Sequence, residues 1–133
     1  MDKTNGIKET KIDADREGKL RKHINYLRNN TEESIIATER QFWTDKCISD
    51  GVATFLIERH VEMQIINALS LKDFFDMMSE EEIEKYIQKE LENKGLLSSK
   101  EEQKEMKLRS ALFAKREAEY YKQKESLNTT PKR

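Results

Sequence analysis

Cysteine, proline and glycine are scarce: the 133 residues hold one cysteine, one proline and four glycines. With Cys47 alone, no internal disulfide and no cysteine-based zinc site can form. So few helix breakers, and no strand-like alternation bounded by turn dipeptides, point away from β architectures and toward an all-α protein. Long apolar runs are missing too. The longest uncharged one, Met63–Leu71, is far too short to span a bilayer. Charges begin at Asp2 and Lys3 with no apolar run behind them, so no signal peptide is readable. The expected location is cytoplasmic, or more broadly intracellular.

Catalytic raw material is equally thin. The two histidines are His23 and His60. His60 stands between Glu58 and Glu62, but helical spacing turns it roughly 160° from both, so the three do not converge on a metal. No Glu-x-x-His pair for a di-iron bundle occurs, and no downstream Pro-Cys-x-x-Cys accompanies the His60-Val61-Glu62 triplet. Glycine-rich phosphate loops are absent. Cys47 lies on the same face as Trp43 and reads as a core thiol rather than a nucleophile. No enzyme activity, cofactor, metal or small-molecule substrate is expected.

Charge is what the chain has in abundance: 38% of residues are charged, against 35% hydrophobic, so only part of the chain can form a core. The net charge of −1 hides a pattern. Residues 1–30 carry eight basic and five acidic groups, and residues 98–133 carry ten and six. The middle is acidic. Basic ends could meet an acidic partner or fold back on that middle.

Residues 1–14 are polar and aperiodic and read as a disordered arm. A first helix is predicted over 15–28, with Leu20, Ile24 and Leu27 on one face and Lys19, Arg21 and Lys22 around it. Asn30 with Glu33 forms a capping-box pattern before a second helix over about 31–48. Ser49-Asp50-Gly51 marks a break, with Asp50 as the expected cap of the next helix. Ser70 with Asp73 and Ser79 with Glu82 repeat the box pattern, predicting a short helix around Phe74–Met78 and another to about Asn93. Gly95 suits a left-handed helix end. A long charged helix follows over 98–126, its narrow apolar stripe being Met106, Phe113 and Tyr120, and 127–133 read as a disordered tail. The expected fold is a small irregular helical bundle over 15–97 with a long charged C-terminal helix and disordered termini.

The stretch 52–69, VATFLIERHVEMQIINAL, is apolar on two sides at once. Val52, Phe55, Leu56, Met63 and Ile66 make one stripe; Ile57, Val61, Ile65 and Ala68 make the other. An ordinary surface helix has one such stripe. The first is bulkier and is expected to face Phe42 and Trp43. The second could be covered by Tyr86, Ile87 and Leu91, or could dock a partner.

Phe75–Leu96, FDMMSEEEIEKYIQKELENKGL, resembles a short helical motif of small axonemal microtubule-associated proteins of cilia and flagella. Phe75, Met78, Glu82 and Tyr86 keep the motif's spacing, as does Glu90-Leu91 relative to Gly95-Leu96. One extra residue separates Tyr86 from Glu90, and Leu71 stands where an arginine is expected. The resemblance implies a non-enzymatic, filament-decorating protein with its basic ends against an acidic surface.

The functional expectation is a non-catalytic interaction protein, a small subunit or tether of a larger assembly. The candidate contact residues are Met106, Phe113 and Tyr120, then Ile57, Val61 and Ile65, with Lys19, Arg21 and Lys22 supplying orientation toward an acidic protein or filament. The alternative is a nucleic-acid-associated helical protein using the basic first helix.

Overall fold

The computed structural model describes residues 3–93 and 100–128, with side chains placed for 14–92, 100 and 102–125. These residues form five helices: α1 (Lys3–Asn29), α2 (Glu32–Ser49), α3 (Thr54–Asp76), α4 (Glu80–Asn93) and α5 (Lys100–Asn128). Among the described residues there is no strand. The chain is an all-α bundle. The turn expected at Gly95 and the residues after Asn128 lie outside the described residues.

The boundaries show which local signals prevail. α1 starts at Lys3, not near residue 15. Extending an existing helix through polar residues costs far less than nucleating one. The second helix is capped by Thr31, whose hydroxyl accepts the Ser34 N–H at 3.1 Å. Asn30 instead turns back and donates its side-chain amide to the Tyr26 carbonyl at 2.8 Å, closing α1. Lys72, from α3, donates to the Leu27 carbonyl at 2.9 Å at the same helix end, where positive charge is favoured.

Asp50 is not the cap of α3 but the last residue of the turn that ends α2. Gly51 follows with φ of 75° and donates to the Ile48 carbonyl at 3.1 Å, while Val52 donates to the Cys47 carbonyl at 3.0 Å. This is a Schellman turn, which needs a residue tolerant of positive φ at the Gly51 position. It folds Val52 back over Cys47.

No helix starts at Ser70. α3 runs unbroken through it, because the Ser70 hydroxyl bonds the Asn67 carbonyl at 2.9 Å and Asp73 is taken by a distant arginine. Ser79 and Glu82, by contrast, form the capping box the spacing predicts. The Ser79 N–H donates to the Glu82 carboxylate at 3.1 Å and the Glu82 N–H donates to the Ser79 hydroxyl at 3.2 Å. The bond from the Ser79 N–H holds the Glu82 carboxyl below its ordinary range. Met78 and Ile83, at the staple positions either side of the box, both pack into the core. Ser79→Ala is expected to destabilise the fold by about 1 kcal/mol in urea denaturation, the usual cost of losing a serine cap.

α3 is the axis of the bundle, packing on α1, α2 and α5, while α4 packs on α1. The core joins Ile24 and Leu27 of α1, Ile35 of α2, Val61, Ile65, Leu69, Phe74 and Phe75 of α3, and Ile83, Tyr86 and Ile87 of α4. Phe74, Phe75 and Tyr86 form an aromatic cluster with ring centroids 5.3 to 5.7 Å apart.

The basic ends fold back on the acidic middle. Arg28 and Arg21 of α1 pair with Glu80 and Glu84 of α4, each at 2.8 Å, and Arg16 donates to the Glu90 carbonyl. The reversed order makes the two helices antiparallel. α5 folds back antiparallel along α3 in the same way. Arg116 holds Asp73 through two bonds, at 2.6 and 2.7 Å, and also grips Glu32 of α2. Two turns further on, Lys124 reaches buried Glu62 at 2.6 Å and Glu58 at 3.3 Å. None of the described residues of α5 is fully buried. Ion pairs, the half-buried Leu112 and Tyr120, and Arg109 over the Phe74 ring therefore hold this helix in place.

Candidate docking groove

The two stripes of α3 have opposite fates. Val61 and Ile65 are 2% and 0% exposed, and Ala68 is buried with them. They contact the chain's own helices, so they are not partner-binding residues; Ile57 is half-buried against the same core. The bulkier stripe is the outward one over its first two turns. Phe55 is 82% exposed and Leu56 49%. Only Ile66, further along the stripe, is sealed. Bulk did not decide the matter: Phe55 and Leu56 sit in the first turn of α3, beside the chain reversal, where no helix covers them.

Between α2 and α3, at this end of the bundle, lies an apolar groove of about 610 Å³. Its walls are Trp43 and Cys47 from α2, Val52 from the Schellman turn, and Leu56, His60 and Met63 from α3. The wall is built locally. Glu39, one turn before Trp43, accepts the indole N–H at 3.2 Å and the Tyr26 hydroxyl at 3.2 Å, which satisfies the polar edge of the indole and leaves its ring to face the groove. His60 meets that ring edge-on at 5.6 Å, and Phe42, 55% exposed, meets it at 5.1 Å. The rim carries both signs of charge: Lys46 and Asp50, paired at 3.6 Å, and Arg59.

Burial and the nearby Glu39 charge push the Tyr26 phenol up to about 12, and burial does the same to Tyr86. Unfolded phenols ionise near 10, so between these values the folded state binds more protons and stability falls as pH rises. An ultraviolet titration should show a late tyrosinate phase near pH 12, reduced in Tyr26→Phe and again in Tyr86→Phe. Loss of neither step would contradict the burial seen at both rings.

The remaining candidate residues are scattered. Met106 is 56% exposed and, with half-buried Phe113, borders a shallow hollow with Leu71 and Arg109. Tyr120 turns inward, accepting from Arg40 at 3.2 Å and donating to Glu62 at 3.4 Å. The α5 stripe is thus divided, with Met106 at the surface and Tyr120 inside a charged cleft of about 290 Å³ between α2, α3 and α5. Arg21 is engaged by Glu17 and Glu84, whereas Lys19 and Lys22 are exposed.

Sequence reasoning missed the groove residues as a site. The signal lies in the first stripe of 52–69, whose bulk by itself points to the interior. Phe75 and Tyr86, which carry the axonemal resemblance, are buried, and Glu82 serves its capping box. Among the described residues, no buried side-chain nitrogen or oxygen lacks a hydrogen-bond partner, and no His, Cys, Asp or Glu cluster is arranged to hold a metal. Among the described residues, no helix is long and apolar enough to cross a membrane. No protein-family model matches the chain, and no curated protein or solved structure shows a significant match.

Proposed function

We propose that this protein is a non-catalytic helical subunit that joins a larger assembly through the α2–α3 groove. The observation that carries this reading is the 82% exposure of Phe55 beside an apolar groove, in a chain whose core is already filled. Contiguous exposed apolar surface of this kind marks interaction sites in water-soluble chains. A photo-cross-linking amino acid at position 55, with position 85 as control, tests it in native extract. Cross-links from 55 and not from 85 support the groove; equal labelling from both counts against it.

The nucleic-acid alternative draws less support from the fold, because Arg21 and Arg28 of the basic helix already pair with α4. Binding that falls steeply with salt would revive it. A ciliary microtubule is one assembly such a subunit could decorate, and the resemblance of 75–96 is its basis. Recombinant protein that stays in the supernatant with polymerised microtubules at low salt would remove that version.

A further inference from the structure

Resting on the groove reading above, we infer that the groove's occupant is a second copy of this chain, the two copies packing about a two-fold axis at the α2–α3 end. The face carries a projection and a hollow together: Phe55 protrudes, and Leu56, its neighbour, is a wall of the groove. A two-fold axis turns such a face onto itself, so each copy's Phe55 can enter the other's groove.

Exposed area and charge both bear on this. Phe42, Phe55 and Leu56 alone leave roughly 350 Å² of residue surface in water, taking about 200 Å² for a whole aromatic residue and somewhat less for leucine. That is a little under half of the ~800 Å² per partner of a standard stable interface, so the groove walls and rim must supply the rest. The rim is mixed in sign, with Asp50 on α2 and Arg59 on α3. Among the described residues Arg59 has no ion-pair partner of its own, and Asp50 is held only loosely by Lys46 at 3.6 Å. A wholly acidic partner would meet Asp50 and a wholly basic one Lys46 and Arg59, whereas a two-fold arrangement lets Asp50 of each copy face Arg59 of the other.

Sedimentation equilibrium of the full chain over a wide concentration range tests the dimer, alongside Phe55→Glu. Helicity should be unchanged in this variant because the side chain is in solvent. The expected result is a mass that rises to twice the monomer's, with association weakened at least about thirtyfold in Phe55→Glu, as for a central anchor residue. Asp50→Arg and Arg59→Asp should each weaken it about threefold, and the double variant should restore it. A monomer at every concentration overturns the inference, as does a dimer untouched by Phe55→Glu or a double variant no better than the singles. Cross-links from position 55 to a foreign protein, with a monomeric chain, would keep the groove and remove the second copy. A monomer with no specific cross-link would remove both.

Discussion

Replacing Arg116 by leucine should destabilise the fold by about 2–3 kcal/mol, below the 3–5 kcal/mol of a fully buried pair because its partners keep some water. The Arg116 side chain is 13% exposed, Asp73 26% and Glu32 50%. Its planar guanidinium holds Asp73 by two parallel bonds and Glu32 by a third contact, so one residue ties α5 to both α3 and α2. Removing it leaves a partly buried carboxylate without a counter-charge, which costs more than the pair itself contributes. Arg116→Lys should recover only part of the loss, since an ammonium cannot reproduce the paired geometry. Arg116→Leu combined with Asp73→Leu should be less harmful than the sum of the single changes. Urea denaturation followed by circular dichroism measures all four.

The same contact sets an acid limit. The hydrogen bond from Arg116 holds the Glu32 carboxyl below its ordinary value of 4.5. Between the two values the unfolded state binds more protons, so stability rises with pH there. The contribution is complete above the ordinary value and disappears as pH falls through the lowered one. In Arg116→Leu this part of the acid dependence should vanish.

Phe75→Ala should cost about 3–5 kcal/mol, the range for deleting a large buried aromatic. Phe75 is 2% exposed and is the largest of the fully buried side chains. Its ring meets Phe74 and Tyr86, each at 5.3 Å, and such aromatic pairs contribute beyond the area they bury. Against a total stability of about 5–15 kcal/mol, the loss should lower Tm by roughly 10–20 °C. Phe55→Ala is the matching control. Deleting the same ring from a position 82% exposed should change the stability of the dilute monomer by less than about 0.5 kcal/mol. Equal effects at the two positions would contradict the inversion of the α3 stripes.

Local chemistry explains which readings of the sequence held. Ser79 and Glu82 satisfy each other within one turn, so their box forms wherever α4 lies. Gly51 alone can sit easily at a positive φ, so the break before α3 was legible. Ser70-x-x-Asp73 carries the same pattern as Ser79-x-x-Glu82, yet Asp73 bonds Arg116, 43 residues away, and the helix continues. Asn30 and Thr31 could each cap α2; the Tyr26 carbonyl draws Asn30 away.

By itself, then, the sequence determined that this protein is helical, where most helices begin and end, and that the helix after Gly51 is apolar on two sides. Only the tertiary structure decided which side faces inward and that the basic ends fold back on the acidic middle. Helical periodicity states the angle of each side chain about its own axis. Whether Val61 or Phe55 is covered depends on which neighbouring helix stands at that angle, and how far along α3 it reaches.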